Sequence, residues 1–315
     1  MFFAKDDSRD YSHCMKIISL LFLLCWTPIA FGAEVYVSAK DIRENARQAN
    51  LKLRSHIALV FDERDNEIIL ARHAEDVVPV ASLSKLMTAM VILDANLDMQ
   101  KTITISKADK DRIRYSRSRL KRGMSFTRRD LLHIALTASE NRAAAALART
   151  YPGGSTAFVD AMNTKAHDLG LKHTRFTDAA GLGNGNVSTA QEMLYIVQGA
   201  SGYPDIRQFT TQTKHSITDL KRGREILFGN TNRLVHRVAW PIRLSKTGFT
   251  GDAGYCLVMQ TEINARPVII VLLNSWGKLS KYGDSNRIKT WLTKAERKVH
   301  KKQAQSLASM ILSKN

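Results

Sequence analysis

Apolar and polar positions follow two different rhythms along this chain. Short apolar runs at 57–61 and 67–71 are separated by the polar stretch 62–66, the pattern of a β-hairpin. Toward the other end, 242–247, 255–261 and 268–273 are three more such runs. Gly251-Asp252 and Asn264-Ala-Arg-Pro267 lie between them as turn residues, so consecutive runs can pair antiparallel. Between the two β regions the spacing becomes helical: Leu83, Leu86, Met87, Met90 and Leu93, then Leu131, Leu132, Ala135 and Leu136, then 143–147. The pattern predicts a mixed α/β fold, with an antiparallel sheet of about five strands drawn from both ends of the chain, flanked by helices. A helical lobe is inserted between the two β regions, and a groove between sheet and lobe is the natural place for a site.

The first 32 residues read as an address rather than as structure. Met15-Lys16 precede an apolar run at 17–26, and Ala30-Phe31-Gly32 is a small-x-small cleavage site that leaves Ala33 as the first mature residue. A bilayer span needs about 20 apolar residues, so a cleaved signal is expected rather than an anchor. The polar residues 1–14 are unusual before a signal peptide and make Met15 an alternative start. Export implies a periplasmic or secreted protein. Cys14 and Cys25 leave with the signal, and Cys256, on an expected strand, remains as a core residue. A single thiol forms no internal disulfide, so stability must come from the core.

The formal net charge is +18, and it survives processing because residues 1–32 carry three basic and three acidic side chains. Such a surface favours polyanions: nucleic acid, anionic lipid or an acidic wall polymer. Export disfavours nucleic acid. Residues 110–129 hold nine basic side chains against the lone acid Asp111, and 289–315 hold seven Lys/Arg with a short apolar end at 307–312. Each reads first as a solvated face or tail, with weak wall or membrane association as the alternative.

Three short motifs carry candidate chemistry: Ser82-Leu-Ser-Lys85, Ser139-Glu-Asn141 and Lys246-Thr-Gly248. A serine hydroxyl is a poor nucleophile until a base takes its proton, and a lysine can do so when neutral. Ser82 opens the helix at 83–93, and three residues along it Lys85 falls on the same face. Backbone N–H groups at a helix start can stabilise an oxyanion. By itself the pair reads more simply as an N-cap serine and a solvated lysine. The same spacing also recurs at Ser275-Trp-Gly-Lys278, where Ser275 closes a strand and Gly277 loosens the link. The other motifs separate signal from decoy. Ser139-Glu-Asn141 interrupts two helical runs, where a loop can put a hydroxyl and an amide into the groove. Lys246-Thr-Gly248 lies on a strand bordering it, and Gly248 allows close backbone approach. Two lysines sharing a buried groove depress each other, so Lys85 can serve as base while Lys246 stays charged and holds a carboxylate.

Ser-x-x-Lys, Ser-x-Asn and Lys-Thr-Gly in this order are the signature of penicillin-binding proteins and class A β-lactamases. The chain resembles the D-alanyl-D-alanine peptidase family of low-molecular-weight penicillin-binding proteins, and within it the penicillin-binding protein 7 type of D,D-endopeptidase. The likeness runs from about Ser55 to Leu292 and also includes Gly181-Leu182, Asn186-Val-Ser-Thr-Ala190, Asn230-Thr-Asn-Arg-Leu234 and Ala253-Gly-Tyr-Cys256. It implies a β-lactamase/transpeptidase-like fold over a peptidase domain at 33–292, between a signal at 1–32 and a basic tail at 293–315.

The resemblance also implies roles. Ser82 forms the acyl-enzyme, Lys85 takes its proton and Ser139 relays a proton to the leaving amine. Asn141 binds the substrate amide, while Lys246 and Thr247 hold the terminal carboxylate beside Gly248. The backbone N–H groups of Ser82 and Phe249 form the oxyanion hole. No cofactor is expected. The implied partners are peptidoglycan stem peptides, with β-lactams as acylating inhibitors that leave slowly, because the Glu-x-x-Leu-Asn segment of class A β-lactamases does not occur in the sequence. Glu140 stands where many carboxypeptidase relatives have Gly, and Gly251 where Asn or Glu is common; both bear on substrate choice. The 67 residues after Gly248 suffice for two strands and a closing helix but not for the appended β domain of larger carboxypeptidases, which favours the endopeptidase subtype.

Two other classes compete. Among the nine histidines no pair has metal-ligand spacing with a nearby carboxylate, so no metal is expected, and His133 and His236 read as packing or surface residues. A non-catalytic wall-binding or β-lactam-sensing module would not need to keep Lys85.

Overall fold

The computed structural model describes residues 36–46 and 51–313, so the expected signal segment, Cys14 and Cys25 lie outside the described residues. Along the chain run α1 (Ala39–Asn45), β1 (Ser55–Asp62), β2 (Glu67–Arg72), β3 (Val78–Pro79), a 3-10 turn (Ala81–Ser84) and α2 (Lys85–Asp94). Next come β4 (Thr102–Thr104), β5 (Ser125–Thr127), α3 (Arg128–Thr137), α4 (Asn141–Arg149), α5 (Gly154–Asp168), β6 (Val187–Ser188), α6 (Ala190–Ser201) and α7 (Pro204–Thr211). The chain closes with β7 (Lys214–Thr218), β8 (Glu225–Gly229), a second 3-10 turn (Arg233–His236), β9 (Ile242–Thr250), β10 (Gly254–Ile263), β11 (Arg266–Ser275) and α8 (Ser280–Leu312).

The five long strands form one antiparallel sheet in the order β2-β1-β11-β10-β9, as the apolar runs predict. The N-terminal hairpin joins the C-terminal strands through β1 and β11, with Ile57 opposite Leu273 and Phe61 opposite Ile269. These strands are apolar at successive positions because both faces of the sheet are covered. Ile57, Leu59, Val258, Ile269 and Val271 point into the core shared with the helical lobe. Ala58, Val60, Leu257, Met259 and Ile270 point into a second core with Ile42 of α1 and Ile288 and Leu292 of α8. Among the described residues the one thiol, Cys256, is free and buried, so these two cores hold the described part of the fold without a crosslink.

Two buried polar clusters pin α8 to the sheet. Asp284 accepts from Arg54 N at 3.0 Å, Ser55 N at 2.7 Å and Ser55 Oγ at 2.6 Å. Arg266 is buried between Asp62 and Glu296. The basic stretch beyond 292 continues this helix, with Ala295 and Val299 buried, while Leu307, Met310, Ile311 and Leu312 stand exposed at its end. Among the described residues no helix is long and apolar enough to cross a membrane.

Two details depart from the sequence pattern. The helix expected over 83–93 begins as a 3-10 turn and becomes α-helical at Lys85. Three small two-stranded sheets, β3–β6, β4–β5 and β7–β8, decorate the lobe. Their strands are two to five residues long, too short for an alternation to register.

Candidate active site

Ser82 sits on a turn held from three sides. Ala81, just before it, adopts a left-handed backbone with φ +48°. Ser84 Oγ donates to Ala81 O at 2.8 Å and accepts from Asn186 Nδ2 at 2.9 Å, while Val80 N donates to Asn186 O at 3.0 Å. The second serine of Ser82-Leu-Ser-Lys85 is therefore a buried strut, and Leu83 is core. Gly181 packs so closely that a Cβ there would lie 1.9 Å from Ala81 O, and at φ +76° its backbone suits only glycine. Asp178 fixes that loop by accepting from the N–H groups of Ala180, Gly181, Leu182 and Gly183.

Lys85 is fully buried, and its Nζ lies 2.8 Å from Ser82 Oγ, 2.7 Å from Asn141 Oδ1 and 2.6 Å from Ala180 O. The Asn141 amide is oriented by its other end, where Nδ2 donates to Ser116 Oγ at 3.0 Å. Burial pushes the Lys85 ammonium down to about 7, partly offset by the charges of Asp178, Glu140 and Asp111. A neutral amine has two hydrogens and one lone pair. Ala180 O and Asn141 Oδ1 can only accept, so in the neutral form they take the two hydrogens and leave the lone pair free; the Ser82 hydroxyl, which donates to Ala180 O at 3.2 Å, needs only to rotate to point its proton at that lone pair. This is the arrangement of a nucleophile beside its base.

Ser139 and Asn141 come from the break between α3 and α4, where Ser139 has φ +58° and Glu140 caps α4 through Arg142 N. Lys246, Thr247, Gly248 and Phe249 lie on β9, the free edge of the sheet. Gly248 is needed for an unexpected reason. A Cβ there would come to 3.0 Å from Val80 O, 3.2 Å from Ala81 Cβ and 3.2 Å from Ser82 N, so β9 packs directly on the nucleophile's own turn.

Lys246 is buried almost as fully as Lys85. It is 1% exposed, with Nζ donating to Thr247 O at 3.1 Å, and burial first and the Lys85 charge second hold it well below the ordinary lysine value. Both lysines are therefore depressed; a carboxylate brought against Lys246 would favour its charged form.

Ser82, Ser139, Asn141, Thr247, Gly248 and Phe249 line one groove of about 600 Å³. Its walls also include Thr231, Arg233, Tyr255, Lys278, Lys281 and Tyr282, none of which the three motifs contain. Thr247 Oγ1 donates to Thr231 Oγ1 at 2.7 Å, Phe249 stacks on Tyr255 at 4.1 Å, and Lys281 lies 4.8 Å from the Tyr255 and Tyr282 ring centres. Burial lowers Lys281 to about 8. Thr231 and Arg233 had a signal in the Asn230-Thr-Asn-Arg-Leu234 stretch, whereas the Ala180 carbonyl had none, because every residue carries one. A cavity of about 650 Å³ between α1 and α8 has no serine on its walls.

Other sequence candidates fall elsewhere. Ser275 is sealed in the sheet, its Oγ 2.7 Å from Ser55 Oγ. Buried His133 stacks between Phe209 and His215 in the lobe, while His236 is exposed. Cys256 is buried, with its thiol pushed up to about 11. Of the basic stretch, Arg114 reaches Asp252 at 2.5 Å and Arg129 pairs with Asp205 at 2.8 Å, while Lys110, Arg112, Arg117, Lys121 and Arg122 are exposed.

Residues 43–277 match the sequence pattern of the family described as D-alanyl-D-alanine carboxypeptidase. A D-alanyl-D-alanine endopeptidase of Pseudomonas aeruginosa is 39% identical over 88% of this chain and 88% of its own length. One from Escherichia coli is 42% identical over 76% of this chain and 78% of its own. The structure of penicillin-binding protein D2 from Listeria monocytogenes in its ampicillin-bound form matches with a TM-score of 0.66 at 29% identity, covering 78% of this chain and 98% of that one. With the serine–lysine pair, the broken-helix loop and the sheet edge converging on one groove, the chain belongs to the D-alanyl-D-alanine carboxypeptidase family of serine peptidases, on the fold of the penicillin-binding proteins.

Proposed function

We propose that this protein is a serine D,D-peptidase that cuts D-alanine-containing peptide bonds of peptidoglycan, with crosslinks between two stems as the preferred target. The observation that carries this reading is the buried Lys85 amine, 2.8 Å from Ser82 Oγ, with its remaining hydrogens assigned to Ala180 O and Asn141 Oδ1. Lys85 takes the hydroxyl proton as Ser82 Oγ attacks the D-alanine carbonyl. The oxyanion that forms accepts from the backbone N–H groups of Ser82 and Phe249. As the C–N bond breaks, the proton passes through Ser139 to the departing amine, and water later releases the peptide from the ester. Lys246 and Thr247 receive a carboxylate of the substrate, and Asn141 both orients Lys85 and faces the substrate amide.

Support for the crosslink preference comes from the two relatives at 39% and 42% identity, both named endopeptidases. β-Lactams would enter the same groove and acylate Ser82. Export to the periplasm belongs to this reading and rests on the run at 17–26 and the site at Ala30-Phe31-Gly32; fractionation with N-terminal sequencing tests it. For the activity, purified crosslinked dimers and monomeric pentapeptides are digested side by side, with labelled penicillin as a parallel probe. Dimers should be cut faster, and Ser82→Ala should lose both cleavage and label. Label persisting on the alanine variant would sink the nucleophile assignment, and faster trimming of pentapeptides would make the enzyme a carboxypeptidase.

A further inference from the structure

Sequence spacing gives His56 and His73 no common purpose, yet the β1–β2 hairpin brings them together at its open end. Their rings stack at 4.5 Å between centroids, 11° from parallel. Asp76 completes the group: the same oxygen, Oδ2, lies 3.7 Å from His56 Nε2 and 3.9 Å from His73 Nδ1. The three ligand atoms are all within 4.8 Å of one another. None of the three residues lines the groove that holds Ser82.

Those separations are informative. At 3.7 and 3.9 Å neither contact is a hydrogen bond. Both nitrogens nevertheless converge on one carboxylate oxygen rather than dividing between two. In a tetrahedral zinc site with bonds near 2.0–2.1 Å, ligand atoms stand about 3.3–3.4 Å apart. Closing from the observed spacing takes roughly half an ångström at each contact with Asp76, up to about 1.4 Å between the histidine nitrogens, and rotation of the imidazoles out of their parallel stack so that both ring planes meet at the ion; the three side chains are about half exposed, with room to rotate. The backbone beneath them is fixed. His56 lies on β1 next to Ser55, which is tied to Asp284 and Ser275. His73 and Asp76 are the first and last residues of a turn closed by Asp76 N donating to His73 O at 3.2 Å. His73 holds a left-handed φ of +49°, a region histidine enters more readily than most residues.

We propose that His56, His73 and Asp76 form a binding site for a borderline divalent metal ion of the zinc type, separate from the peptidase groove. Two imidazoles and one carboxylate suit zinc, nickel or copper and disfavour magnesium and calcium, which prefer oxygen ligands. The ion would clip the open end of the hairpin to the turn that leads through β3 toward Ser82. Its binding therefore strengthens the sheet edge and the approach to the nucleophile without entering the chemistry.

The test is calorimetric titration of untagged full-length protein with zinc chloride, with magnesium chloride as control, on wild type, His56→Ala, His73→Ala and Asp76→Asn. Wild type should bind one zinc and no magnesium at this site, each variant should bind at least about tenfold more weakly, and labelled penicillin should acylate all four equally. At about a hundred times Kd, zinc should raise the wild-type Tm by roughly 5 °C and leave that of the histidine variants unmoved. Zinc binding unchanged in both histidine variants, or absent from the wild type at millimolar concentration, would overturn the proposal. Because all three side chains are exposed, penicillin acylation reports that the variants remain folded, and the conservative Asp76→Asn keeps the test valid should a histidine variant misfold.

Discussion

Lys85 has to be buried to be neutral and hydrogen-bonded to be oriented, and the site supplies both. With its ammonium value lowered to about 7, the fraction of free amine falls as the solution is acidified through that point. Acylation by labelled penicillin should therefore drop about tenfold per pH unit below 7 and level off above it; a profile flat from pH 5 to 8 would remove Lys85 as the base. The same shift has a cost in stability. Between pH 7 and the ordinary lysine value of 10.5 the unfolded chain holds a proton on this lysine that the folded chain does not, so its contribution to stability rises with pH across that window and is least favourable below it. Gly248 is the other residue with a sharp expectation. Gly248→Ala drives a methyl against Val80 O and Ser82 N, so β9 must retreat from the nucleophile's turn. We expect a loss of about 1–3 kcal/mol in stability and a fall in acylation rate of at least about tenfold, measured by denaturant unfolding and penicillin labelling.

At the scale of elements, the strands of the main sheet were legible because each is apolar over successive residues and bounded by turn residues such as Gly251-Asp252 and Asn264-Ala-Arg-Pro267. The site was legible to the extent that its side chains carry unusual chemistry in fixed order: Ser82 with Lys85, Ser139 with Asn141, Lys246 with Gly248. Three kinds of information were hidden. The Ala180 carbonyl is a backbone group, invisible to any residue pattern. Ser116 sits in a basic loop that reads as solvated, yet its hydroxyl orients Asn141. Asp284 lies 229 residues from Ser55, and only the folded sheet makes them neighbours. That last contact fastens α8 to β1. Asp284→Ala leaves the buried Ser55 N–H and the part-buried Arg54 N–H without their acceptor, while the Ser55 hydroxyl keeps Ser275 Oγ, and should cost roughly 1–3 kcal/mol while leaving the peptidase groove intact. Equilibrium unfolding beside a penicillin-labelling assay checks both halves of that statement.

For the molecule as a whole, the arrangement of the sheet decides when activity begins. Ser82 comes from the first third of the chain, its carbonyl partner Ala180 from the middle, and the strand that packs on its turn, β9, from the last third. Such long-range contacts are made late, because the entropy of closing large loops must be lost before they form. In refolding from urea, helical signal should recover before the chain can be labelled by penicillin, and labelling should appear only with the slowest phase. Simultaneous recovery of both would contradict this order. If labelling appears only in that slowest phase, the edge strand β9 is a completion signal: a half-folded chain, which has its serine but neither the groove wall nor the second lysine, stays closed to stem peptide and antibiotic alike until β9 docks.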